Sequence, residues 1–221
     1  MPLRYAPSLS DLPISCNLCH TLGSDIGGGS VDNDTPHSLA RIPLRWMIRE
    51  CFKTNTGIMF MSDCMRKLGL DPASLYPDVQ PRPPPLPVTH SRIQSIPRAL
   101  PKAHYAEVDD LIKIYKSEEE HELLDAMSPI YDQLELAKYW WILELFPMRQ
   151  RYQRTSSDKW QKTIGMNLGR GRVIPGQKKK TIKVHRSVKM RMDTEFENGT
   201  KYVPMASFET ALSLGKVQWV D

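Results

Sequence analysis

The chain has no apolar run that approaches the length needed to cross a bilayer, and its first residues, Met1-Pro2-Leu3-Arg4-Tyr5-Ala6-Pro7, lack the apolar core of a secretory signal. The expectation is a soluble, non-secreted, cytoplasmic protein. Cysteine is scarce. Cys16, Cys19, Cys51 and Cys64 in 221 residues give no disulfide framework, and Cys51 and Cys64 fall in helical patterns, where buried thiols are common. No second Cys/His pair stands at ligand spacing to complete a zinc site with Cys16 and Cys19. Cys16-Asn17-Leu18-Cys19-His20 does match the pattern for covalent haem attachment, but five-residue matches arise by chance and no export signal accompanies this one. No cofactor and no metal are expected.

What is present is strongly asymmetric in charge. The net charge is +5, yet the segment 149–191 holds 14 Lys and Arg against the single acid Asp158, which leaves the remainder at −8. One face is then basic. Such a field attracts phosphate-rich partners, either anionic lipid or nucleic acid, although a charge run is also an ordinary solvated surface. Gly169-Arg170-Gly171-Arg172 and Lys178-Lys179-Lys180 would contact phosphates, with Trp160 as a stacking platform. No nucleic-acid fold signature accompanies them, so nucleic acid is the weaker partner.

The length suits one domain. Residues 1–22 read as an irregular segment, 23–76 as a unit with a glycine turn and a helix, 77–103 as a proline-rich loop or linker, 104–210 as the carboxy-terminal part and 211–221 as a tail. Helical periodicity after Asp34-Thr35-Pro36 spans 38–52 and places Leu39, Ile42 and Trp46 on one stripe, followed by either Ile48 or Arg49. Leu44, Met47 and Cys51 widen that stripe, and Pro43 should kink the helix or shift its start. Arg41, Arg45 and Arg49 recur every four residues, so the helix packs against a sheet while its arginines look outward or pair with acids. Tyr139-Trp140-Trp141-Ile142-Leu143-Glu144-Leu145-Phe146 is the most apolar run and ends at Pro147. It reads first as a buried helix and second as a membrane-touching edge. Strands are expected at 159–164 and 172–175 around a glycine turn, and Thr181-Ile182-Lys183-Val184 should deliver His185 to a helix over 187–192.

A histidine just past a strand end is placed for general-base work at the rim of a sheet. Asp25, set before Gly27-Gly28-Gly29, can occupy a sharp turn where an orienting acid would be held, although three glycines also make a plain flexible turn. Asp25 followed by His185 has the order that α/β-hydrolases use after their nucleophile.

Six blocks then stand in a telling order: Ser24-Asp25-Ile26-Gly27-Gly28-Gly29, Ile42-Pro43-Leu44-Arg45-Trp46-Met47-Ile48-Arg49-Glu50, Ser128-Pro129-Ile130-Tyr131-Asp132, Trp140-Trp141-Ile142-Leu143-Glu144, Asn167-Leu168-Gly169-Arg170-Gly171-Arg172 and Val184-His185-Arg186-Ser187-Val188. Together, over 23–208, they resemble the fungal branch of the type VI secretion phospholipase effector-like catalytic domain. The resemblance implies an α/β fold: a partial, helix-rich α/β-hydrolase-like domain with a proline-rich internal loop. It implies a phospholipid or other ester as substrate. Asp25 would hold the imidazole tautomer, and His185 would take the proton from a serine hydroxyl and return it to the leaving alcohol. The departures are as informative. No Gly-x-Ser-x-Gly occurs in the chain, and Gly23-Ser24-Asp25-Ile26-Gly27 puts serine in the wrong place. The expectation is therefore the carboxy-terminal part of a serine-hydrolase domain, inactive alone, and the alternative is a non-enzymatic protein that binds anionic surfaces.

Overall fold

In the computed structural model the described residues are 28, 29, 31, 32, 35–95, 116–153, 159–171, 174 and 176–221. Helix α1 (Arg41–Lys53) begins later than the periodicity suggests, with Ala40 at its N-cap and no side-chain cap. The shift puts Pro43 in the first turn, where a missing N–H leaves no intrahelical bond unmade, so no kink is needed. Leu39, Ile42, Trp46 and Ile48 are buried, whereas Leu44 and Met47 face solvent and do not widen the stripe. Helix α2 (Ser62–Lys67) runs into Gly69, whose φ of +80° is the left-handed conformation that closes a helix. A 3₁₀ turn (Pro72–Ser74) follows, with the Asp71 carboxylate accepting the Ala73 N–H at 3.0 Å. Ile48, Met65, Leu70 and Leu75 form one small core beneath these elements.

The proline-rich residues 77–95 form no helix or strand, and among them only Ile93 makes a ladder contact, a parallel bridge to Phe196. They are not a loose linker. Ile93 is fully buried, and Val88 packs on the core that Leu39, Ile42, Ala126, Met127, Met190 and Tyr202 build between α1 and the helices described next.

Helix α3 (Glu118–Ala126) opens on a capping box: the Ser117 hydroxyl accepts the Glu120 N–H and the Glu120 carboxylate accepts the Ser117 N–H. Helix α1 packs on α3, not on a sheet. Two single-turn helices, α4 (Gln133–Leu136) and α5 (Trp141–Glu144), flank a 3₁₀ turn (Lys138–Trp140). Strands β1 (Met148–Gln153) and β2 (Trp160–Gly165) pair antiparallel. The expected strand over 159–164 thus exists, but its partner lies upstream; Arg172, Val173 and Pro175 fall outside the described residues.

The aromatic run over 139–146 does not form a buried helix. Ala137, at φ −131° and ψ 85°, breaks the backbone between α4 and the 3₁₀ turn, and a one-turn helix presents no continuous stripe to bury. None of the residues 130–151 and 159–171 is buried.

Strand β3 (Ile182–His185) leads directly into helix α6 (Arg186–Met192), and after helix α7 (Glu209–Ser213) strand β4 (Val217–Val220) returns to pair parallel with β3. The residues expected as a tail therefore supply half of this sheet, because Val217 and Trp219 have apolar cover to gain against it. Ile174, Ile182, Val184, Val188, Phe208 and Ala211 close the core around β3. Helices and strands are mixed, and the described residues hold two sheets of two strands each. No described helix is long and apolar enough to cross a membrane.

Candidate functional site

Burial of Ile182 and Val184 fixes β3 in the core, and that places His185 at the carboxyl end of a parallel strand, where it is also the N-cap of α6. Its Nδ1 accepts the Ser187 backbone N–H at 3.3 Å and lies 2.8 Å from the Ser187 hydroxyl. A nitrogen that accepts the cap bond carries no proton, so the proton resides on Nε2. That atom lies 3.7 Å from Glu122 Oε1, which makes no hydrogen bond. Burial, reinforced by the charges of Arg82, Arg186 and Arg45 and opposed by Glu122, pushes the imidazole down to about 4. His185 is neutral at physiological pH.

Glu122 belongs to a set of acids on α3 that neutralises arginines from three other parts of the chain. Arg186 donates to Glu122 Oε2 through Nε (2.9 Å) and Nη2 (2.5 Å), and through Nη1 to the Pro83 carbonyl (2.7 Å). Arg82, from the proline-rich segment, donates to the same Oε2 at 2.5 Å and lies 3.4 Å from Glu118. Burial alone would raise the Glu122 carboxyl, but the bond from Arg186 and the charges of Arg82, His185 and Arg186 outweigh it and hold it at about 2. Arg82 is raised in turn: its burial is outweighed by Glu122, Glu118 and Glu119.

One turn on, Asp125 is fully buried and accepts from Arg45 (2.5 Å), the Ser38 backbone N–H (3.1 Å) and His37 (3.2 Å). Arg49 forks onto Glu118. Of the two roles open to the arginine row of α1, pairing with acids is the one observed: Arg45 and Arg49 are buried, and Arg41 lies 3.7 Å from Asp125 while donating to the Lys67 carbonyl. At the other end of α3, Arg191 donates to the terminal carbonyls of Ala126 and Ser128 and lies over the Tyr202 ring at 4.8 Å. Gly69 lets α2 approach this assembly, since a Cβ there would fall 2.5 Å from the His121 ring.

Asp25, Cys16, Cys19 and His20 lie outside the described residues; among those it does describe, the structure brings an acid to His185 from another element. The acid it does bring is Glu122, which sequence reasoning missed. A signal existed: Glu118, Glu122 and Asp125 recur at four and three residues, the complement of an arginine row spaced by four. The basic segment is also thinner than its composition suggests, because Arg186 and Arg191 are buried, whereas Arg170 and Lys178-Lys179-Lys180 are exposed. Comparison with protein-family models, with curated proteins and with solved structures finds no match. The chemistry of the site itself must carry the functional reading. As folded, it holds a neutral histidine in one tautomer between a hydroxyl and a carboxylate, with Ser187 fully buried and out of reach of any substrate.

Proposed function

We propose that this chain is part of a serine-hydrolase domain acting on lipid esters, to which it contributes His185 as the base, and that it does not turn over substrate by itself. The observation that carries the reading is the position of His185: a neutral imidazole at the carboxyl end of a parallel strand, followed at once by a helix, the end of such sheets where ligands bind. Ser187 cannot serve as the nucleophile, being enclosed within the first turn of α6. Nor is the tautomer the working one: with Nδ1 occupied by Ser187, an orienting acid such as Asp25 would find no proton to accept until the cap opened.

Two measurements test this. The chain alone should show no hydrolysis of a short-chain phosphatidylcholine and no labelling by a fluorophosphonate, since loss of a triad nucleophile forfeits on the order of 10⁶ in turnover. A form extended by in-frame coding sequence that carries a Gly-x-Ser-x-Gly elbow should gain both, and His185→Ala should then abolish hydrolysis. Turnover by the chain alone that disappears in His185→Ala, or turnover by the extended form that survives it, would overturn the reading.

A further inference from the structure

The aromatic run and the β1–β2 hairpin together make a surface that the site does not use. Its residues are held in place. The Glu144 carboxylate accepts from Asn167 Nδ2 at 2.6 Å and from the Gly169 N–H at 2.9 Å, and the Glu144 carbonyl accepts from the Asn167 and Leu168 N–H groups, which clamps α5 onto the hairpin base. The Trp141 indole donates to the Leu134 carbonyl at 3.1 Å. On this clamped unit Ile142 is 68% exposed, Phe146 64%, Tyr139 66% and Ile164 68%. Such a cluster of large apolar side chains is unusual on a free surface.

The register of the hairpin adds charge to it. Alternation puts Arg149, Arg151, Trp160, Lys162 and Ile164 on one face, with Arg149 opposite Ile164 and Arg151 opposite Lys162. Arg151 lies 5.9 Å from the centre of the Trp160 ring. Lys138, Lys159 and Arg170, next in sequence to Tyr139, Trp160 and Gly169, are exposed, and between 131 and 171 the one exposed acid among the described residues is Glu135.

We infer that this surface docks on an anionic lipid bilayer, with Tyr139, Ile142, Phe146 and Ile164 entering the headgroup–acyl boundary and the arginines and lysines around them meeting lipid phosphates. Three features select a bilayer over other occupants. Aliphatic side chains as exposed as Ile142 and Ile164 have no use for a nucleic acid, which offers stacking faces and phosphates. No described side chain of the patch is buried, so it offers no recess to seat a peptide. Aromatic and aliphatic residues bordered by cations match the layering of an anionic interface, apolar below and negative above. The surface is separate from His185, so this inference and the hydrolase reading stand or fall independently.

Co-sedimentation with vesicles tests it. The chain should pellet with phosphatidylserine-containing vesicles and not with pure phosphatidylcholine, with binding weakened by added salt. Ile142→Asp/Phe146→Asp should abolish pelleting with an unchanged melting temperature, both side chains being largely exposed. Arg149→Glu/Arg151→Glu should weaken binding at least thirty-fold, about five-fold for each cation lost and more for the reversal. His185→Ala should leave it unchanged. The inference is overturned by any of three results: no binding to the anionic vesicles, tighter binding to an oligonucleotide that displaces the vesicles, or self-association in sedimentation velocity that the Ile142→Asp/Phe146→Asp variant removes.

Discussion

Replacing Arg186 by methionine keeps the length of its stem and removes its guanidinium, and with it two hydrogen bonds to Glu122 and one to the Pro83 carbonyl. Glu122 retains Arg82 at 2.5 Å, but it is 1% exposed and water cannot replace the lost donors. Breaking one side of a buried ion pair costs about 3–5 kcal/mol, a large share of the 5–15 kcal/mol that holds an ordinary domain together. Glu122→Leu should cost a similar amount, because Arg186 then keeps the Pro83 carbonyl as its hydrogen-bond acceptor and only the more distant Glu119, at 3.8 Å, as a counter-charge. In Arg186→Met/Glu122→Leu no charge of that pair is stranded, so the double change should cost less than the sum of the singles by about 2 kcal/mol. Urea unfolding followed by circular dichroism at neutral pH measures all four free energies. A second readout is pH. Glu122 is depressed to about 2 in the fold, so its contribution is present above the ordinary carboxylate value of 4.5 and fades as pH falls towards 2. Arg186→Met removes the bond that depresses it most, and unfolding on acidification should begin at higher pH than in the parent. A cost below 1 kcal/mol for Arg186→Met, or additivity of the pair within 0.5 kcal/mol, would refute the reasoning.

Two further outcomes follow from the same region. Gly69→Ala must adopt a φ of +80° and place a Cβ 2.5 Å from the His121 ring, which together should cost about 2–4 kcal/mol; adding His121→Ala removes the ring but leaves the His121 Cβ 2.8 Å away, so it should recover only part of the steric cost and leave the backbone part, read as a partial recovery in melting temperature. His185 takes up a proton below about 6.5 when unfolded but only near 4 when folded, so stability should fall by about 3 kcal/mol between those pH values, and His185→Gln should flatten that part of the profile in denaturation series at pH 7 and pH 4.5.

How much of this could be read from the residues depends on where each partner lies. The strand, His185 and the helix after it were legible because Thr181-Ile182-Lys183-Val184 is a β-branched run that gives way to a helical pattern within a few residues. The arginine row of α1 was equally visible, but its destination was not, since its acids lie 69 and 80 residues away. Arg82 was hidden by its surroundings: among prolines, a residue reads as linker whatever its side chain does. Strand β1 has no apolar alternation in Met148-Arg149-Gln150-Arg151-Tyr152-Gln153, so only its pairing identifies it. The aromatic run was misread as buried because hydrophobicity alone reports what a segment would prefer to cover, and not whether any described element reaches it.

The reach of the α3 network also bears on how the molecule would come apart. Its bonds close separations of 64 residues for Arg186–Glu122, 80 for Arg45–Asp125 and 103 for Arg186–Pro83. Loops of that length are closed late in folding, and a charge brought into a half-formed interior loses its water before it gains its partner. The network should therefore be largely unmade at the folding barrier. Weakening it then leaves the rate of folding nearly untouched and shortens the lifetime of the folded state, so these arginines act mainly as a brake on opening.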